Sequence, residues 1–162
     1  MKPGLRSKML MLVVAFPVWG LIGCERETRD TDIKLVSVGD VKALWDRQQR
    51  GSETAVIIMD PRPVKAYAAG HIAGARNLQL PKFDPKGERD PLIERYSNIV
   101  IYGDDPGSAT ARGLTKRLLA LGYKHIRFFA GGLLEWRARG YPIEGVPEPK
   151  LDAPTTDPAP SK

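Results

Sequence analysis

The stretch Asn98–Gly122 limits the possible folds more than any other part of the chain. Ile99-Val100-Ile101-Tyr102 is a short apolar, β-branched run bounded by polar residues, too short for a helix, and it predicts a buried strand. Gly103-Asp104-Asp105-Pro106-Gly107 follows as a turn, and Ser108 stands where the N-cap of the next element belongs. Ala111, Leu114, Leu118 and Leu121 recur at helical spacing, and Gly122 fits the C′ position that closes a helix. A strand feeding a helix through a tight loop aims the first unpaired N–H groups of the helix at whatever the loop holds. In α/β proteins that is the usual address of a binding or catalytic site, which makes Gly103–Ser108 the candidate loop.

The sequence has one cysteine, Cys24, so no intramolecular disulfide is possible and packing must hold the fold. The formal charge of +6 overstates the basicity of the folded part. Lys2, Arg6 and Lys8 lie in the first 23 residues with no acid, and taking these three from 25 leaves 22 basic against 19 acidic side chains. Charges so balanced and scattered argue against a nucleic-acid binder. No metal-ligand cluster is visible, and no cofactor is expected.

Lys2, Arg6 and Lys8 precede an apolar run from Met9 to Ile22, the plan of a secretory signal. Its ending, Leu21-Ile22-Gly23-Cys24, resembles the lipobox of bacterial lipoproteins, whose cysteine is lipidated and becomes the mature N-terminus. An uncleaved anchor and an accidental cysteine are the alternatives. The run is shorter than the ~20 residues of a spanning helix and Pro17 interrupts it, which favours the lipobox. The resemblance implies a signal peptide over 1–23, a lipid on Cys24, and a periplasm-facing protein anchored in a bacterial envelope. Glu25 rather than Asp follows the cysteine, which by resemblance to enterobacterial lipoproteins leans towards the outer membrane. Glu25–Lys34 is polar and aperiodic and reads as a tether with an r.m.s. span of roughly 17 Å.

Ser37 and Asp40 then fit a capping start, with Val38, Val41, Leu44 and Trp45 on one helical face that ends near Gly51. Ala55–Met59 is a continuous apolar run stopped by Asp60-Pro61, as expected of a central parallel strand. Pro63 suits the first turn of a short helix ending at Gly70; Ile72–Leu80 predicts a turn and a strand, and Pro81–Pro91 a charged loop. Ile126–Phe129 is a further strand, and Leu133–Arg139 a helix that Gly140 and Pro142 end. Beyond Val146 the chain is proline-rich with few apolar residues, and 147–162 reads as a disordered tail. The alternation of strands and helices over 35–146 calls for an α/β domain, a central parallel sheet with helices on both faces.

Three separated segments resemble one family. Asp60-Pro61-Arg62 through Tyr67, with Gly70-His71-Ile72-Ala73-Gly74-Ala75-Arg76-Asn77, is similar to the N-terminal signature of rhodanese-like domains. Ile99–Tyr102 resembles the strand that delivers the rhodanese active-site loop, and Phe129-Ala130-Gly131-Gly132 with Trp136, Gly140 and Pro142 resembles the C-terminal signature. The resemblance implies a sulfurtransferase-type fold in which the residue after that strand is a cysteine carrying persulfide sulfur. Here that residue is Gly103, its neighbours are Asp104 and Asp105, and the arginine that commonly closes the loop is replaced by Ser108, Ala109 or Thr110. A glycine has no nucleophile, so persulfide chemistry at this position is excluded by composition. By the same resemblance Asp60 and Arg62 organise neighbouring loops, and His71 is a hydrogen-bonding structural residue. Trp136 reads as core, and His125 as surface.

The expectation is therefore a membrane-tethered rhodanese-like lipoprotein without sulfurtransferase activity, binding an envelope protein or a small anion through Gly103, Asp104, Asp105, Pro106, Gly107 and Ser108. A helix N-terminus favours an anion by ~0.3–1 kcal/mol. A carboxylate 4 Å away opposes it by ~4 kcal/mol at an effective dielectric of 20, so the outcome turns on where Asp104 and Asp105 point. Two alternatives remain open: a sulfurtransferase using a non-standard nucleophile or an external thiol, and a purely structural envelope lipoprotein.

Overall fold

The computed structural model describes residues 28–145, so Cys24, the signal segment and the tail lie outside the described residues. Four strands form one parallel sheet: β1 (Ile57–Asp60), β3 (Arg76–Asn77), β4 (Ile99–Tyr102) and β5 (Ile126–Phe129), in the order β3-β1-β4-β5. Their side chains alternate, which builds two cores. Ile57, Met59, Ile99, Ile101, Ile126 and Phe128 face one way and pack under Ala111, Leu114 and Leu118 of α4 (Ala109–Ala120). Val56, Ile58, Val100, Tyr102 and Phe129 face the other way. Val38, Val41 and Leu44 of α1 (Val38–Gln49), with Leu133 and Trp136 of α5 (Gly132–Ala138), cover them. The doubly covered parallel sheet is the expected architecture.

The helix ends follow local chemistry. Ser37 caps α1 by accepting the Asp40 N–H at 3.2 Å. At the end of α4, Gly122 (φ +80°) lets its own N–H reach Leu119 O and the Tyr123 N–H reach Leu118 O, a Schellman pair. Trp136 is fully buried and its indole N–H donates to Pro142 O at 2.8 Å.

Several expectations change. β1 begins two residues after Ala55, and Ala55 and Val56 are a buried lead-in. Pro63 precedes the short helix α2 (Val64–Ala69) as its N-cap. The strand expected within Ile72–Leu80 shrinks to β3, while β2 (His71–Ile72) pairs antiparallel with β6 (Ile143–Glu144). The charged loop holds a 3₁₀ turn at Leu80–Lys82, and at its end α3 (Pro91–Glu94) starts with Asp90 accepting the Leu92 N–H. The N-terminal segment joins the domain before Val36. Asp30 pairs with Lys116 at 2.6 Å, Ile33 packs against the core, and the Phe128 N–H donates to Lys34 O at 2.8 Å.

Candidate functional site

The loop Gly103–Ser108 leaves the exit end of β4 and enters α4, as the strand–loop–helix pattern requires. Its anchor is main chain. The Leu133 and Leu134 N–H groups at the start of α5 donate to Gly103 O at 2.9 Å and Asp104 O at 3.0 Å, so the loop caps a second helix. This approach needs Gly132, at φ +59°: a Cβ there would lie 2.6 Å from Gly103 O and 2.7 Å from Asp104 O.

Gly103 is buried, and the space a side chain would need is taken. A Cβ on Gly103 would fall well inside 3.0 Å of both Cβ and Oγ of Ser108, and 3.3 Å from Ala111 Cβ. Ser108 holds the N-cap position of α4 as expected, yet makes no capping bond: its side chain is turned over Gly103, and its Oγ lies 3.2 Å from Thr110 Oγ1. The serine has filled the hole rather than capped the helix.

The two loop acids are exposed but engaged. Asp105 accepts the Gly107 N–H at 2.8 Å, and Pro106 O accepts from Arg112 at 3.3 Å. Asp104 accepts from Arg62 Nη1 at 2.6 Å. A shallow cavity of about 230 Å³ lies beside them, lined by Asp104, Asp105, Leu133, Leu134 and Arg137, with Leu134 65 % exposed.

Beneath the loop lies a buried polar knot. Asp60 is fully buried at the end of β1 and accepts Arg62 Nε at 2.9 Å and Nη2 at 2.7 Å, a two-pronged pair. Arg62 also donates to Gly70 O at 2.7 Å, and its own carbonyl accepts from Asn77 at 2.8 Å. One side chain thereby joins the end of β1, the α2–β2 turn and the candidate loop, which is the organising role expected of Asp60 and Arg62. Burial opposes the guanidinium's charge, but the hydrogen bonds and charge of Asp60, with the bond to Asp104, outweigh it and push its pKa further up.

Tyr102 completes the knot, a role that its place in an apolar strand run does not signal. Its hydroxyl donates to Asp60 Oδ2 at 2.6 Å and accepts the Ile72 N–H at 3.1 Å. Burial, reinforced by the Asp60 charge, pushes its pKa far above the usual 10.0. The parallel register runs Met59 against Ile101, so the next residues, Asp60 and Tyr102, leave the two strands side by side, a pairing that no local sequence pattern encodes. His71 belongs elsewhere. It is buried on β2, stacks on Tyr67 with ring centroids 3.7 Å apart, bonds Tyr67 O at 2.9 Å, and faces Glu144 at 3.5 Å. Among the described residues no group of three or more His, Cys, Asp and Glu could hold a metal ion, and no helix is long and apolar enough to cross a membrane.

The family profile described as "Rhodanese-like domain" matches residues 40–139, from α1 through α5 and spanning the knot and the loop. The chain belongs to the rhodanese-like family. Among curated proteins it is 26% identical over 125 residues to thiosulfate sulfurtransferase 18 of Arabidopsis thaliana, covering 72% of this chain and 87% of that protein. Among solved structures, a Bacillus halodurans protein matches at 22% identity and TM-score 0.57, covering 69% of this chain and 77% of its own. The rhodanese-like domain of an Anabaena sp. protein matches at 24% identity and TM-score 0.56, covering 79% of this chain and 91% of its own. These structural likenesses establish the fold. Against the family, this rhodanese-like chain carries its only cysteine at position 24, far from the loop in sequence.

Proposed function

We propose that this protein is a non-catalytic rhodanese-like module, held at a bacterial envelope membrane through a lipid on Cys24 and facing the periplasm. It offers the Gly103–Ser108 loop as its binding surface. The observation that carries the reading is the filled hole at Gly103: the position that the family resemblance assigns to a nucleophile has none, and Ser108 occupies the space one would need. The loop's own acids already take two of the donors an anion would use, the Gly107 N–H and the Arg62 guanidinium. That favours a protein partner, bringing basic groups to Asp105 and an apolar side chain to Leu134, over a free anion.

The relative named as a thiosulfate sulfurtransferase supports the competing enzyme reading, and one experiment separates the two. Sulfur transfer from thiosulfate to cyanide is measured with the full chain. The expected rate equals the buffer blank, with and without added dithiol. Activity that disappears when residues 103–108 are replaced by a glycine-serine linker would overturn the non-catalytic reading. Mass spectrometry of the N-terminal peptide of the mature protein tests the anchor, an acylated Cys24 being the expected species.

A further inference from the structure

The opposite end of the sheet carries a second cavity, of about 330 Å³, lined among others by Lys34, Lys124, His125, Arg127 and one acid, Asp32. β5 runs parallel to β4 with Ile126 beside Ile99, so His125 stands at the entry edge of the sheet while the candidate loop follows Tyr102 at the exit edge. The strand between them separates the two by roughly 10 Å or more. The chain reverses from α4 into β5 through His125 at φ +56°, the one non-glycine residue with positive φ among those described, and this turn brings Lys124, His125 and Arg127 around one cavity.

A helix C-terminus ordinarily repels an anion, and α4 ends here. Three carbonyls at that end already accept hydrogen bonds, however. Leu118 O and Leu119 O accept from Tyr123 and Gly122, and Gly122 O accepts from Arg89 at 3.0 Å. The cations are less committed: Lys34, Lys124 and Arg127 are held in no ion pair among the described residues.

The chain enters the domain at this same end. Lys34 and Val36 pair with Phe128 on the edge of β5, and Asp30 is held by Lys116. Six peptide steps lead from Asp30 back to Cys24, a reach of at most about 20 Å. A basic cavity within that distance of the anchoring residue is matched by charge and position to an acidic bilayer surface.

We propose that this cavity receives the phosphate of an anionic phospholipid headgroup, seating the domain on the bilayer so that the Gly103–Ser108 loop points away from it. The proposal rests on the tether reading for its geometry, and the two fail separately. The test uses a chain beginning at residue 25, without lipid, which keeps both core layers described above. It is sedimented with phosphatidylcholine vesicles, with and without phosphatidylglycerol. Binding is expected only with phosphatidylglycerol and is lost in high salt. Lys34→Gln, Lys124→Gln and Arg127→Gln each weaken it by about fivefold. Lys86→Gln, on an exposed loop, leaves it unchanged. Equal sedimentation with both vesicles, or insensitivity to the three substitutions in chains that melt like the parent, overturns the proposal. So does binding of inorganic phosphate that depends on the same residues without vesicle binding, because the ligand is then a soluble phosphate. Vesicle binding with an unacylated Cys24 in the mature protein removes the tether and keeps the cavity; the reverse pattern keeps the tether and removes the cavity.

Discussion

Restoring the family's cysteine should fail if it is done alone. In Gly103→Cys the new Cβ lands on Ser108 Cβ and Oγ and within 3.3 Å of Ala111 Cβ, on a helix whose face is buried. A hydroxyl could rotate away, but the Ser108 Cβ is fixed by the backbone. Either the loop or the start of α4 must move. Overpacking of this kind costs about 1–3 kcal/mol. Ser108→Gly removes the obstruction, and because Ser108 makes no capping bond its loss should cost a few tenths of a kcal/mol at most. A double-mutant cycle by urea denaturation therefore has a definite shape. Gly103→Cys loses about 1–3 kcal/mol, Ser108→Gly almost nothing, and the double variant recovers most of the loss, with a coupling energy of at least about 1 kcal/mol. If Gly103→Cys costs the same in both backgrounds, Ser108 does not fill the site and the reasoning is refuted.

Three other outcomes follow from the geometry. Arg62→Met takes the cationic partner from the buried Asp60 carboxyl and should cost about 3–5 kcal/mol, whereas Asp104→Asn, whose acid is 66% exposed, should cost less than about 1 kcal/mol in the same denaturation assay. Gly132→Ala, at φ +59° and against the Gly103 carbonyl, should destabilise by more than about 1 kcal/mol and speed amide exchange at Leu133 and Leu134. Tyr67, Tyr102 and Tyr123 have raised pKa values, chiefly through burial. Their contribution to stability is full below pH ~10 and is lost as pH rises beyond it, because the unfolded phenols ionise first. Ultraviolet titration should show these three tyrosines ionising later than a free phenol, and Tyr102 only as the protein unfolds.

What the sequence made legible was periodic or chemical. β-Branched runs and helical spacing located β1, β4, β5 and α4, and Gly122 and Ser37 marked real helix ends. Asp90-Pro91 also carried a readable cap and first-turn proline, yet α3 is so short that the surrounding prolines read as loop. β2 and β6 have two residues each and exist because tertiary packing sets His71 against Glu144, which no local pattern encodes. The same limit applied at the site. That Gly103 lacks a nucleophile was plain, but the direction of the Ser108 side chain and the Arg62–Asp104 bond depend on how three loops converge. Whether Asp104 and Asp105 oppose an anion was likewise a question of their partners rather than of their spacing.

The way the loop is held has a consequence for what it can display. Its grip on α5 runs through two peptide carbonyls, those of Gly103 and Asp104, and the demanding residue in that contact is Gly132 on the other side. The main-chain part of that mount does not depend on the side chains it carries. Rewriting residues 104 to 107 gives up the Arg62–Asp104 and Asp105–Gly107 bonds but leaves the two carbonyl contacts to α5 in place, provided Gly132 stays. A scaffold built this way separates the shape of its display from its lettering, so the lettering is open to change while the frame persists.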